Sequence, residues 1–434
     1  MRITKITATK GFEREFSGIA TDKSISHRSV IFALLASASC RVENYLMGED
    51  TLHTLHIARE LGLGVEQKEN VLILTPPKQI KEPHKVLDCG NAGTGMRLFS
   101  GFLSGVKGHF VLSGDEYLNE RPMKRIIEPL NSIGAHIIGR ENNAYAPLSI
   151  TGGEIKSFNY TSKIASAQVK SAMILAGLQA EGTSRFYEPF LSRNHTENIL
   201  QGMGVEMSTK EQENGAYELE FKGQGRKKLE SFDLCVPADP SSAFYFAVAA
   251  CVLQSKVKLK NVLLNKTRIQ AFKILEAMGA EVKYELHHSL YEEVGDIEVC
   301  GKSLRAINVE SEIAWLIDEI PALSIAFAVA SGTSRVANAK ELRVKESDRI
   351  HATITNLRAM GIKCEEFEDG FSVCGGELKR ARVDSFGDHR IAMSFAIAML
   401  VCGGEISDSA CIDVSFPQFL DYLSSITHIE NINE

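Results

Sequence analysis

The sequence predicts an α/β protein made of six copies of one folding unit, three copies to a domain. First, helical stretches with almost no polar face begin near Ser24, Thr94, Ser166, Ser241, Glu319 and Asp388, so that successive starts lie 69 to 78 residues apart. A fixed long period of that kind marks a repeat architecture. Second, between these stretches an amphipathic segment recurs and ends in Gly before a strand, at Gly64, Gly134, Gly204, Gly279 and Gly361. Glycine there signals a left-handed helix C-cap. Third, 434 residues exceed what one hydrophobic core supports, so two domains are expected. The unit reads strand, buried helix, strand, exposed helix, strand, turn, strand. A chain crossing is placed at Ala238–Pro240, the first strand (RITKITAT) could join either domain, and the sixth copy reads as truncated.

A helix that is apolar all round must be buried, which leaves its start as the place for chemistry. Unpaired N–H groups and the positive end of the dipole make such starts anion sites. In the first copy, Asp22-Lys23-Ser24-Ile25-Ser26-His27-Arg28 sets Lys23 at the start and Arg28 a turn later. Cations there oppose the dipole, which suggests that they hold an anion, with a solvated first turn as the alternative reading of this motif alone. Gly90-Asn91-Ala92-Gly93-Thr94-Gly95 matches neither the dinucleotide nor the Walker pattern. It is either a plain tight turn or a loop whose backbone N–H groups approach a small phosphate or carboxylate.

Asn119-Glu120-Arg121-Pro122, Arg193-Asn194-His195-Thr196-Glu197 and Arg343-Val344-Lys345-Glu346-Ser347-Asp348-Arg349 each precede an amphipathic helix. Charge runs are commonly solvated helix faces. The spacing argues otherwise, since Lys345 and Arg349, four apart, would share a face with Glu346 beside them. Ile317-Asp318-Glu319 puts two carboxylates at a buried helix start, one of them a candidate cap. Asp388-His389-Arg390 starts the last such helix, where the histidine could cap or titrate. His53 and His56 have no third ligand and read as helix surface, so no metal is expected. If the two halves dock, Lys23, Arg28, Arg121, Lys345, Arg349 and Arg390 would surround one cleft and repel one another unless a polyanionic ligand screens them.

Composition narrows the class. A net charge of -7 argues against nucleic acid or an anionic membrane as the main partner. No apolar core follows MRITKITATK and no run reaches a membrane-spanning length, so neither a secretory leader nor a membrane anchor is expected. Nine scattered cysteines without CxxC spacing fit reduced thiols and a cytoplasmic location. The sequons at Asn159, Asn194 and Asn265 then carry no meaning.

With these residues in hand, the chain resembles the 5-enolpyruvylshikimate-3-phosphate synthase family. The resemblance is carried by DKSISHR, GNAGTGMR, ERP, ASAQVKSA, SRNHTE, DPSSA, IDE, LRVKESDR, DHRIAMSF and SFP, in the family's order over nearly the whole length. It implies a two-domain inside-out α/β barrel, each domain three βαβαββ repeats, with residues 1–20 plus 239–434 in one domain, 21–238 in the other and the active site in the cleft between them. It implies transfer of the carboxyvinyl group of phosphoenolpyruvate to the 5-hydroxyl of shikimate 3-phosphate, by addition and elimination, with no cofactor, in a monomer.

Carried over position by position, the resemblance implies that Lys23, Ser24, Arg28, Ser166, Ala167, Gln168, Ser192, Arg193, Asp318 and Lys345 contact shikimate 3-phosphate. It places Lys23, Asn91, Gly93, Thr94, Arg121, Gln168, Lys345, Arg349, His389 and Arg390 around phosphoenolpyruvate. Asp318 is then the base for the 5-hydroxyl, Glu346 the acid for the methylene carbon, and Lys23 a third catalytic residue.

Departures from the family pattern are Ala20-Thr21 in place of Pro-Gly, Glu341 where some members carry Asn, and Val414 where some carry a phosphate-binding Lys. Arg193-x-His195-x-Glu197 resembles a subgroup that tolerates glyphosate, while Gly93 keeps the small neck that accommodates it. Two rivals stand beside this reading. A UDP-N-acetylglucosamine enolpyruvyl transferase would carry a catalytic Cys in the loop before its Arg-Pro and Lys-Asn at the first helix; here residues 114–122 hold no Cys and the pair is Lys23-Ser24. A non-catalytic phosphometabolite-binding repeat protein would have no use for Asp318 and Glu346, whose charge opposes anion binding.

Overall fold

The computed structural model describes residues 1–225 and 227–433, with the backbone alone at 288 and 289. Contacts divide the chain into two compact units. The first contains Met1–Ala20, Pro237–Ser289 and Glu293–Glu434; the second contains Thr21–Val236 and the three residues Leu290–Glu292. Among the described residues each unit holds three four-stranded sheets and three buried helices.

The buried helices are α1 (Lys23–Ala33), α2 (Gly93–Ser104) and α3 (Ala167–Gly177) in the second unit, and α4 (Pro240–Val252), α5 (Ile320–Val329) and α6 (His389–Cys402) in the first. They form because runs of Ala, Leu, Ile, Phe and Met bury apolar area on every side, which outweighs the modest helix propensity of the aromatic and β-branched residues among them. Their starts are set by identifiable residues. Asp22, Asp239 and Asp388 are N-caps whose carboxylates accept from Ile25 N, Ser241 N and Arg390 N at 2.7–2.8 Å. Such caps are worth about 1 kcal/mol each. Pro240 and Pro321 stand in the first turn, where a missing N–H costs nothing. In the first unit each of the three helices packs on the other two, so the helices are the core and the sheets lie around them.

The sheets share one pattern. In the copy containing α2, Leu87–Asp88 runs parallel to Gly108–Ser113, which pairs antiparallel with Tyr145–Gly152, itself antiparallel to His136–Gly139. The sixth copy follows the same pattern, which corrects the expectation of truncation. Its third strand is the N-terminal Arg2–Ile6, paired with Gly404–Ser407 on one side and Ile429–Asn433 on the other. Exposed backbone edges would otherwise remain, so the first strand completes the last sheet and thereby joins the first unit.

A second exchange occurs at the crossings. The strand before α1, Glu13–Phe16, pairs in parallel with Lys256–Leu263 of the first unit. The strand before α4, Asp233–Cys235, pairs in parallel with Cys40–Glu43 of the second. Four of the five predicted C-cap glycines, Gly134, Gly204, Gly279 and Gly361, have positive φ. In the first copy that conformation belongs to Gly62, while Gly64 opens a strand.

Helix packing in the second unit depends on a missing side chain. A Cβ at Gly101 of α2 would lie 2.2 Å from the carbonyl oxygen of Ala172 in α3. Backbone cannot yield as a side chain can, so Gly101→Ala should destabilise the protein by about 1–3 kcal/mol. Gly153→Ala, where nothing lies within 4 Å, should be close to neutral; urea denaturation of the two variants checks the contrast.

Candidate functional site

In the second unit the predicted residues collect at the starts of α1, α2 and α3 and on one loop. Lys23, at the first position of α1, forms an ion pair with Asp50, a carboxylate buried on the neighbouring helix Glu49–Glu60. Arg28 is 3% exposed and its fork is divided three ways: Nε donates to Thr196 Oγ1 at 2.8 Å, Nη2 to Ser171 Oγ at 2.9 Å and Nη1 to the Ser24 carbonyl at 2.9 Å. His27 is fully buried beside them, with Nδ1 2.7 Å from Thr54 Oγ1. Burial, with Lys23 and Arg28 adding to it against Asp50, pushes its pKa down to about 3, so it is neutral at pH 7.

At the start of α2, Asn91 accepts from Arg121 through Oδ1 and donates to Asp115 at 2.7 Å through Nδ2. Gln168, in the first turn of α3, donates to Thr94 Oγ1 at 3.0 Å and accepts from Arg97. Ser166 is the N-cap position of α3 and Ala167 its first residue. Ser192 is buried and Arg193 half-buried on the loop between Thr183–Glu188 and the helix His195–Gly202.

In the first unit the site is organised by Arg349, 2% exposed at the start of the helix Arg349–Ala359. Its Nη2 donates to Glu346 at 2.7 Å, its Nη1 to Asp318 at 3.2 Å and its Nε to Asp388 at 2.9 Å. Burial alone would work against the charge, but the three carboxylates outweigh it and push the pKa of the guanidinium further up. Asp318 and Glu346 each keep about a quarter of the side chain exposed, so both remain accessible from outside this cluster. Lys345 pairs with Glu341 at 2.9 Å. His389 and Arg390 are buried at the start of α6. Among the described residues Nε and Nη1 of Arg390 have no hydrogen-bond partner, which marks this guanidinium as a spare donor. Burial opposes its charge, and the carboxylates of Asp318, Asp239 and Glu319 outweigh it and push the pKa of the guanidinium up.

Two expectations need correction. Lys345 and Arg349 do not share a helix face: Lys340–Val344 is a 3-10 helix, Lys345 is extended, and the next helix starts only at Arg349, with Asp348 as its cap. Nor are five of the six cations without a partner inside their own unit. Lys23, Lys345 and Arg349 have carboxylate partners, and Arg28 and Arg121 have neutral acceptors. A buried cation costs less when it brings an acceptor with it, and Arg390 is the one of the six with two buried nitrogens still to be matched among the described residues.

Arg97, Lys170 and Arg268 were not foreseen as part of this arrangement. Lys170 is 1% exposed between Glu188 and Glu197, and Arg268 is buried against Asp239 and Ser241. Their signal was available for two of them: a cation inside an otherwise apolar helix must be buried with partners. Away from these residues, Glu285, His287 and Asp296 bring ligand atoms within 4.8 Å of one another. Lys258 and Lys260 already compensate Asp296, so the trio has no charge to spare for a metal ion.

Residues 15–423 match the family model of EPSP synthase (3-phosphoshikimate 1-carboxyvinyltransferase). The chain is 76% identical over 437 aligned residues to the 3-phosphoshikimate 1-carboxyvinyltransferase of Helicobacter hepaticus, covering 100% of both chains. It is 57% identical to that of Wolinella succinogenes, over 99% of this chain and 98% of the other. Among solved structures, an EPSP synthase from Acinetobacter baumannii superposes with a TM-score of 0.86 at 37% identity, covering 100% of each chain.

The buried neutral His27 sets a pH dependence of stability. Unfolded, it takes a proton as the pH falls through its ordinary 6.5, whereas folded it refuses one down to about 3. Its contribution is therefore full above 6.5 and is lost as the pH falls toward 3, worth roughly 4–5 kcal/mol across the whole range. His27→Gln should flatten the acid side of the stability curve measured by urea denaturation between those limits; an unchanged slope would mean that His27 is protonated in the fold.

Proposed function

The chain belongs to the EPSP synthase family, and from that premise we propose how its residues divide the transfer of the carboxyvinyl group from phosphoenolpyruvate to the 5-hydroxyl of shikimate 3-phosphate. The carrying observation is that Asp318 and Glu346 hang on one guanidinium, Arg349, at 3.2 and 2.7 Å. Two carboxylates with opposite tasks are what addition followed by elimination requires. Asp318 takes the proton of the 5-hydroxyl as its oxygen attacks the substituted carbon of phosphoenolpyruvate, and Glu346 delivers a proton to the methylene carbon, which becomes a methyl group. In the elimination the Glu346 carboxylate takes a proton back from that methyl group, the carbon–oxygen bond to phosphate breaks with its electron pair on the phosphate, which accepts the proton held by Asp318, and the double bond is restored. Arg349 fixes both carboxylates so that little reorganisation accompanies the transfer.

Shikimate 3-phosphate is assigned to Lys23, Ser24, Arg28, Ser166, Ala167, Gln168, Ser192 and Arg193, with Asp318 and Lys345. Phosphoenolpyruvate and the departing phosphate are assigned to Lys23, Asn91, Gly93, Thr94, Arg121, Gln168, Lys345, Arg349, His389 and Arg390. Support comes from the spare donors on Arg390 and from the N-termini of α1, α2 and α3, whose dipoles favour anions. We place the enzyme in the cytoplasm as a monomer. All nine cysteines are free, and among the described residues no helix is long and apolar enough to cross a membrane. No cofactor takes part in the proposed steps.

The test is phosphate release from phosphoenolpyruvate with shikimate 3-phosphate, run beside UDP-N-acetylglucosamine; release with the second acceptor alone would overturn the reading. Asp318→Ala and Glu346→Ala should each lower kcat about 100-fold or more while weakening substrate binding far less. Near-normal turnover in a folded variant rejects the role given to that residue.

Gly93 provides a second check. A methyl group there would lie 3.3 Å from Arg121 Nη1 and 3.5 Å from Arg97 Nη1, crowding the end of the pocket assigned to phosphoenolpyruvate. Glyphosate is longer than that substrate, so Gly93→Ala should raise its inhibition constant more than it raises KM for phosphoenolpyruvate, by a margin of about 1–3 kcal/mol. Equal changes in both constants would remove Gly93 from the inhibitor's end.

A further inference from the structure

Lys170 lies in the first turns of α3, two residues beyond Gln168, in surroundings where a leucine would be expected. It is 1% exposed, yet it carries an ammonium group with three protons and has three acceptors around it. Nζ is 2.8 Å from Glu188 Oε1, 2.7 Å from Glu197 Oε1 and 3.2 Å from the carbonyl oxygen of Ser192. Burial opposes the charge, but Glu197 and Glu188 outweigh it, so Lys170 stays protonated.

These three acceptors come from three consecutive pieces of chain. Glu188 ends a strand, Ser192 stands on the loop that follows, and Glu197 sits in the first turn of the next helix. The loop is gripped twice at one residue, because Glu188 Oε1 also accepts from Ser192 N at 2.9 Å. Both the N–H and the C=O of Ser192 are thus held by the Lys170–Glu188 pair. A buried ion cluster of this kind stabilises a fold no more than well-packed apolar residues of the same volume would. What it adds is connection, since one buried ammonium is hydrogen-bonded to Glu188 and to the Ser192 carbonyl and ion-paired with Glu197, tying strand, loop and helix to one point on α3.

We propose that Lys170 is a positioning residue for recognition of the acceptor substrate: it fixes the loop bearing Ser192 and Arg193 against the start of α3, which bears Ser166, Ala167 and Gln168. This rests on the assignment of those five residues to shikimate 3-phosphate. The substrate phosphate and hydroxyls then meet two groups of donors whose separation is set in advance. Arg28 reinforces the same spacing, bonding Ser171 on α3 and Thr196 on the helix after the loop. Among the described residues the polar partners of Lys170 are Glu188, Ser192 and Glu197, none of which is assigned to phosphoenolpyruvate.

The test compares steady-state constants of Lys170→Met with those of a charge-neutral triple variant, Lys170→Met/Glu188→Gln/Glu197→Gln. The single variant strands two buried carboxylates, a cost that works against folding. The triple variant removes the charges while keeping volumes close to the original, and its melting temperature and circular dichroism report whether it is folded. In whichever variant is folded, KM for shikimate 3-phosphate should rise about tenfold or more, the scale of a lost charge-assisted hydrogen bond, while KM for phosphoenolpyruvate moves less than about twofold. An unchanged KM for shikimate 3-phosphate in a folded variant overturns the proposal. So does a parallel rise in both constants, which a general loosening of the fold would give. Absence of wild-type turnover with shikimate 3-phosphate would instead reject the assignment of the substrate, so the two failures are distinguishable.

Discussion

A helix buried on every side has no polar face to offer, so the chemistry available to it is confined to its ends. Six helices in this chain obey that constraint, and much of the arrangement follows from it. Unpaired N–H groups at each start need acceptors; Asp22, Asp239 and Asp388 supply them in three cases. Ser24, Thr94, Ser166, His389 and Arg390 stand where the dipole favours an anion because the apolar remainder of each helix leaves them nowhere else to stand. The repeat therefore multiplies one kind of site, a helix start edged with polar side chains, and the copies differ in which side chains they place there.

Charge taken into such a core must bring its own compensation. Arg349 collects Glu346, Asp318 and Asp388, and Lys170 collects Glu188 and Glu197. The two clusters are built alike, with one cation among several carboxylates, but differ in exposure. Asp318 and Glu346 keep part of their surface open, while the cluster at Lys170 is closed. The first arrangement suits groups that exchange protons with a substrate and the second suits a fastening. Removing any one member leaves the others charged and unmatched, so these residues are tied to one another more tightly than to the helices that carry them.

The sheets show how six similar units avoid six sets of raw edges. The N-terminal strand Arg2–Ile6 fills the third place in the last sheet. Strands Glu13–Phe16 and Asp233–Cys235 each join a sheet far from them in sequence. Pairings at such separations carry a large loop-closure cost before any contact rewards them. They also tie each unit together through its chain ends, so that Met1–Ala20 belongs with the C-terminal copies.

By itself the sequence determined the period, the six buried helices, the order of strand and helix within a copy and the family, because these depend on local pattern. An apolar run that is helical in period is buried wherever it lies, and DKSISHR, LRVKESDR and DHRIAMSF are contiguous. Tertiary structure decided what depends on distance across the fold. No pattern near Arg2 announces that its strand completes the last sheet, since an edge is filled by whichever chain reaches it. No spacing reveals that Lys345 turns to Glu341 while Arg349 gathers carboxylates from Asp318 and Asp388. The helical register read into residues 343–349 failed because Asp348 caps a new helix there, and capping competes with continuation at any Asp. Lys170 was visible as a charge in an apolar helix, but its partners, 18 and 27 residues further on, are neighbours only after folding. Local sequence fixes which groups must be buried; only the folded chain fixes which acceptor each buried charge finds.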